Sequence, residues 1–111
     1  MGDIRRSFLL KVSDGAEPPV YRTVAGLRET AFSITSESID ITASGIFLGS
    51  QAESRIRGAT LGGQMNDYEL SFQDGERLRG SFLINCLNYC GNFNGERNYL
   101  IKMTGSGDYL P

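Results

Sequence analysis

The chain contains no histidine and no tryptophan, and only two cysteines and three prolines. Without histidine, Ser-His and Cys-His nucleophile pairs cannot form within this chain. A zinc site lacks ligands for the same reason, because Cys86 and Cys90 are its only soft donors. Those two cysteines stand four apart on an expected strand. Their Cα atoms would then be roughly 13 Å apart at the strand rise, beyond the reach of about 7 Å that a disulfide allows. They read as free thiols suited to a reducing compartment, packed as small hydrophobes. No apolar run approaches the roughly 20 residues of a membrane-spanning helix. The first residues, Met1-Gly2-Asp3-Ile4-Arg5-Arg6-Ser7, show no apolar leader core. An excess of either charge is also lacking, with 11 Lys and Arg against 13 Asp and Glu. A net charge of −2 over 111 residues argues against a general binder of nucleic acid or anionic membrane.

What is present is alternation. Residues 8–12 read as a first strand, and Asp14-Gly15 with Pro18-Pro19 as the turn after it. Residues 20–24 read as a second strand, closed by Gly26. Residues 28–43 form a longer extended stretch. Phe32 and Ile34 share one parity and Ile39 and Ile41 the other, so the phase slips near Ser36-Glu37-Ser38. The residues left facing outward are Glu29, Ser33, Thr35 and Glu37, then Ser38, Asp40 and Thr42, an acidic face rich in hydroxyls. Residues 45–49 read as a short apolar strand.

Ser50-Gln51-Ala52-Glu53 has the form of a capping box, with Ser50 at the N-cap and Glu53 reaching back. Ala52, Ile56 and Ala59 then give an apolar stripe at helical spacing, and Gly62-Gly63 ends it. Beyond the helix, Tyr68, Leu70 and Phe72 alternate with polar residues. Phe82, Ile84 and Cys86 share one parity and Leu87, Tyr89 and Phe93 the other, which places a bulge near Cys86-Leu87. Asn94-Gly95 is a strong hairpin signal between two long runs, because both residues tolerate positive φ. Tyr99, Ile101 and Met103 line one face of the closing strand. The order β-β-β-β-α-β-β-β predicts one mostly-β domain over residues 1–111. It is an antiparallel β-sandwich or barrel with one flanking α-helix at 50–61 and a polar N-terminal arm at 1–7.

Few residues point to chemistry. No catalytic, cofactor-binding or metal-binding constellation is predicted. Gly105-Ser106-Gly107 lacks the following helix that a phosphate loop needs, and reads as a flexible strand exit. Phe82, Tyr89, Phe93 and Tyr99 could form a stacking platform for single-stranded nucleic acid, but no basic groove adjoins them, so core packing is favoured. Arg55 and Arg57, together with Arg77 and Arg79, are the densest basic grouping. They read as solvated surface or, more sharply, as contacts to acidic residues of a neighbouring subunit. Arg5, Arg6, Arg55 and Arg57 are the candidate subunit contacts.

The ordered pieces resemble the phage major tail protein (tail tube) family, which includes the tail proteins of gene transfer agents. The resemblance runs through Phe8-Leu9-Leu10-Lys11-Val12 with Asp14-Gly15, Thr23-Val24-Ala25-Gly26-Leu27-Arg28 and Ser38-Ile39-Asp40-Ile41-Thr42. It continues through Ser44-Gly45-Ile46-Phe47 with the helix, then Gly80-Ser81-Phe82, Gly91-Asn92-Phe93-Asn94-Gly95-Glu96 and Ser106-Gly107. One departure stands out. Relatives usually carry a long tryptophan-containing loop and another strand after the Asp-x-Thr motif, whereas Asp40-Ile41-Thr42 here runs almost directly into Ser44-Gly45-Ile46-Phe47. The resemblance implies a non-enzymatic structural subunit, made in a bacterial cytoplasm and placed in a virion or phage-like tail. It implies hexameric rings of self, stacked into a tube beside other tail proteins, with DNA passing through unbound and no membrane involved. A conduit should not grip a polyanion, which makes Glu29, Ser33, Thr35, Glu37, Asp40 and Thr42 the candidate lumen face. Ordinary solvent-facing strand is the other reading of that face. Two other functions stay open: a related ring-forming protein, such as a tail terminator or a secretion-system tube subunit, and a small-ligand-binding β-barrel.

Overall fold

The computed structural model describes residues 6–35, 38–93 and 95–110. Among the described residues six strands and one helix follow in order: β1 (Ser7–Ser13), β2 (Tyr21–Ile34), β3 (Ile39–Phe47), α1 (Ser50–Leu61), β4 (Met65–Phe72), β5 (Arg77–Phe93) and β6 (Glu96–Leu110). Every strand pairing is antiparallel, and the sheet closes on itself in the order β1-β2-β3-β6-β5-β4. The mostly-β fold with one flanking helix is therefore a closed barrel rather than a sandwich.

Period-two alternation fills its interior. Phe8, Leu10 and Val12 point inward from β1, Ile39, Ile41 and Ala43 from β3, and Tyr68, Leu70 and Phe72 from β4. Leu78, Phe82 and Ile84 of β5 meet Tyr99, Ile101 and Met103 of β6. Tyr68, Tyr99 and Phe82 are the largest fully buried side chains. A ligand-binding barrel needs interior space, and here aromatic and aliphatic side chains occupy it. Ile56 and Ala59 of α1 are buried, with Ala52 packed at the edge of the same core.

Three strand boundaries differ from the sequence expectation. Gly26 does not end β2; it sits mid-strand opposite Leu9 and Ile46. The long extended stretch is two strands, broken at residues 35–38, where the Thr35 amide donates to the Ser38 carbonyl at 2.9 Å. Residues 45–47 are not a separate strand but the end of β3. Three strands, not four, therefore precede the helix. Gly105 likewise belongs to β6, paired with both Ile39 and Phe82, and is no flexible exit. Both misreadings have one cause. Gly45 and Gly105 face the interior where the paired backbone approaches closely, and a side chain at either position would run into it.

Of the expected N-terminal arm, residues 1–5 lie outside the described residues, and Ser7 already begins β1. At opposite ends of the barrel two hairpins outrun a neighbouring strand. The β2–β3 hairpin does so on its β2 side alone, since β3 stays paired with β6 to Ile39, and the β5–β6 hairpin does so on both sides. The β2–β3 hairpin runs beyond Arg28, the β2 partner of Ser7 in β1. The β5–β6 hairpin runs beyond the final β4 partner, Leu83, and the final β3 partner, Tyr99. Phe93 pairs with Glu96 across a two-residue turn in which Gly95 has φ +82°. Its partner in the turn, Asn94, lies outside the described residues. The parity slip near Cys86 is a register shift between Ile84 and Cys86, and a second shift falls between Tyr89 and Gly91.

Candidate assembly surfaces

Strand register decides which side chains share a face. Ser33 pairs with Asp40, and Asp40 with Thr104. Ala31 pairs with Thr42, Thr42 with Lys102, and Lys102 with Cys86. Arg28 pairs with Ser44, Ser44 with Leu100, and Leu100 with Asn88. These three rows cover the outer face of β2-β3-β6-β5 with hydroxyl, amide and small apolar groups. The Thr104 hydroxyl donates to Asp40, and the Thr30 hydroxyl to the Thr42 carbonyl at 3.1 Å.

This wall is not the one the sequence alone drew. Ser33, Asp40 and Thr42 lie on it, but Glu29 does not. The register shifts between Glu29 and Ala31. That bulge turns Glu29 to the same side as its buried partner Ala43, leaving it 8% exposed at the barrel rim. Thr35 sits in the turn, exposed, with its hydroxyl accepting from the Ser38 amide at 3.0 Å. Glu37 lies outside the described residues. The face is thus close to neutral rather than acidic, with Asp40, Lys102 and the rim residue Arg28 as the charges on its three rows.

The candidate subunit contacts scatter. Arg5 lies outside the described residues. Arg6 folds back on its own barrel: its guanidinium is 4.0 Å from the Phe72 ring centroid, 3.3 Å from the Glu29 carboxylate and 2.9 Å from that of Glu76. It closes the rim at the start of β1. Arg55 is exposed and donates to the Ser13 carbonyl at 3.3 Å. Arg57 donates to the Tyr99 hydroxyl at 3.1 Å and lies 3.5 Å from Glu53.

The capping box does not form. Gly49 is the N-cap, with no side-chain cap, and Ser50 is the first helical residue. The Glu53 carboxylate instead accepts from the Tyr99 hydroxyl at 2.6 Å. That hydrogen bond, helped by burial and the Glu53 charge, raises the Tyr99 pKa above the usual phenol value. Tyr99 and Phe82 are core residues and Tyr89 is half exposed, so the aromatics do not form a stacking platform; the Phe93 side chain is outside the description. Cys86 and Cys90 are free thiols, but Cys86 is only partly buried and Cys90 exposed, so neither packs in the core as expected. No helix among the described residues is long and apolar enough to cross a membrane.

A charge cluster that the sequence reading missed covers the outer face of β1-β4-β5. Glu69, only 4% exposed, accepts from Arg79 Nε at 2.7 Å and Ser71 Oγ at 3.1 Å, with Lys11 Nζ at 3.6 Å. Arg79 in turn stacks on Tyr21, 4.9 Å from the ring centroid. Only register reveals the cluster: Lys11 and Arg79 are both direct cross-strand partners of Glu69. Burial pushes the Glu69 carboxyl up. The Arg79 and Ser71 hydrogen bonds and the Arg79 and Lys11 charges outweigh it and hold the pKa below its ordinary 4.5. A depressed carboxyl pKa stabilises the fold above the unfolded value, and that stability is lost as pH falls through the folded one. Glu69→Gln should therefore cost about 2 kcal/mol at pH 7. The difference from wild type should shrink at a pH well below the ordinary carboxyl range. Urea unfolding at the two pH values measures it, and a constant difference would place the effect elsewhere.

The geometry is thus a closed antiparallel barrel whose interior is filled by core side chains, with an open groove of about 580 Å³ running over Leu9, Gly26 and Phe72 on its outside. The family model of the phage tail tube protein matches residues 6–44 and 35–110. The chain belongs to the phage tail tube protein family, as a structural component of a phage-type tail. Two solved structures are similar. One is the tail of an empty gene transfer agent (GTA) particle refined with C6 helical symmetry, 24% identical, with 93% of each chain covered and a TM-score of 0.63. The other is the virion of a native gene transfer agent particle, also 24% identical, with 92% of each chain covered and a TM-score of 0.60. No curated protein sequence matches the chain.

Proposed function

We propose that this chain assembles into six-subunit rings that stack into a hollow tail tube, and that DNA passes through the tube without being specifically bound. The observation that carries the reading is the family match, which extends over both hairpins and the whole barrel. The C6 symmetry of the similar gene transfer agent tail supports the ring number. The protein's work is then mechanical: it encloses a channel and performs no reaction, and its partners are copies of itself and the tail proteins at either end. The outer face of β2-β3-β6-β5 is the proposed lumen wall. Its hydroxyls and amides interact with a passing polyanion without the counterion release that drives phosphate binding. Ser33, Asp40, Thr42 and Thr104 are its central residues, and Glu29 is left out.

Deletion of the gene in a producing cell tests the reading. It should leave filled heads without tails, with tails restored when the chain is supplied in trans. Normal-length tails in the deletion strain would overturn it.

A further inference from the structure

The tip of the β5–β6 hairpin has little to hold it. Past Leu83, β5 has no strand on its β4 side, and past Tyr99 towards the turn β6 has none on its β3 side, among the described residues. From Tyr89 and Tyr99 outward the ribbon is two-stranded, with a register shift at Tyr89/Gly91 and Gly91 at φ +108°. A two-stranded ribbon in water is marginal and free to bend.

One side chain from the helix reaches it. Glu53 could have capped α1 and does not. Its Oε1 accepts the Tyr99 hydroxyl at 2.6 Å, and its Oε2 lies 3.8 Å from Arg97 Nη1 and 3.5 Å from Arg57 Nη2. The Arg97 guanidinium stacks 5.1 Å from the Tyr89 ring centroid and 5.9 Å from that of Tyr99. The two tyrosine rings meet edge to face at 5.7 Å, and the Tyr89 hydroxyl donates to Asn92 at 2.8 Å. β6 is thus tied directly, through Tyr99 and Arg97, to one carboxylate on the helix, and β5 follows through the Tyr89 ring that packs on both. Tyr89, half exposed, is the apolar group that this arrangement holds out to solvent.

We propose that Glu53 is a positioning residue: through Tyr99 and Arg97 it sets the angle at which the β5–β6 hairpin leaves the barrel, and with it the contact that hairpin makes with the next copy of this chain. The second half of the proposal rests on the tube reading above; the first does not. A hairpin at one end and the β2–β3 hairpin at the other make the contact between copies head-to-tail, which propagates rather than closes. A small tilt at its base would then mis-seat every subsequent copy.

The test uses the full chain with Glu53→Ala, Glu53→Gln, Tyr99→Phe and Arg97→Ala. Arg97 is mostly exposed, so its removal leaves the core intact. Amide exchange is measured over residues 88–98 in unassembled protein, and tube length by negative-stain microscopy. E53A and Y99F should exchange roughly tenfold faster in the ribbon, with β2–β3 unchanged. Their tubes should be short or irregular at temperatures far below melting. R97A should show a weaker version of both effects. E53Q, which keeps an acceptor for Tyr99, should recover part of both. A purely packing role would lower the melting temperature without the selective exchange or the tube defect, and that result overturns the proposal. So do unchanged exchange in the ribbon and normal tubes despite a loosened one. Wild-type protein that forms no tubes would contradict the tube reading, while the exchange arm still decides whether Glu53 holds the hairpin.

Discussion

Replacing Gly105 with alanine should leave the chain unfolded, or lower its melting temperature by about 20 °C or more. A Cβ there would stand 2.0 Å from the Ser81 carbonyl oxygen and 2.8 Å from the Phe82 Cα. Both are backbone atoms of the paired strand, so neither can move aside without breaking the β5–β6 ladder. Gly45 is the matching position on β3, with the Gly26 oxygen at 2.0 Å and the Leu27 Cα at 2.9 Å. Each faces inward beside a large side chain, Gly105 against Phe82 and Gly45 between Leu27 and Tyr99. The expected loss exceeds about 4 kcal/mol, from a backbone clash in a core that cannot expand. That is a large part of the roughly 5–15 kcal/mol that holds a domain together. Gly26 is the internal control. It is also mid-strand, but a Cβ there meets nothing within 4 Å. Gly26→Ala should change stability by less than about 1 kcal/mol. Thermal unfolding of the three variants decides, and equal effects at Gly26 and Gly105 would remove the argument from close approach.

Adding positive charge to the proposed lumen wall should cut DNA delivery without preventing tail assembly. Ser33→Lys with Asp40→Lys changes the charge of that face by three units per subunit, one from the serine and two from the aspartate. Both positions are exposed, and on the register they face away from the core. Every ring would then present lysines to the passing phosphates, and each phosphate neutralised adds salt-dependent affinity. Delivery should fall by roughly tenfold or more and recover partly at higher salt. The matched control is Glu17→Lys with Ser54→Lys, the same three units placed on the exposed β1–β2 turn and helix surface. The control should deliver DNA normally. Particles counted by microscopy and delivery scored by gene transfer separate assembly from conduction. Equal losses in both variants, or none in either, would place the channel wall on another face.

How far the sequence carried these conclusions depended on the range of the signal. The β5–β6 hairpin was legible, because Asn94-Gly95 and the runs beside it act locally. So was the helix, through the spacing of Ala52, Ile56 and Ala59. The slip near Cys86 was legible as a change of parity. Glycine misled three times: Gly26, Gly45 and Gly105 read as strand boundaries, but all three lie within strands, and at Gly45 and Gly105 the close approach of a neighbouring backbone is what requires glycine. The bulge at Thr30 carries no turn residue, so nothing local marked it, and Glu29 was assigned to the wrong face. The Ser50-x-x-Glu53 pattern predicted a cap. The acceptor went instead to Tyr99, 46 residues away, where two tyrosine rings and an arginine favour it. The Glu69 cluster needed three strands in register before its members could be seen together.

The most direct test of the account is negative-stain microscopy of the purified full chain over a range of concentrations, paired with sedimentation. The account predicts hollow tubes with a regular axial repeat and six-fold rings in end-on views. A protein that sediments as a monomer at high concentration and shows neither rings nor tubes would contradict it.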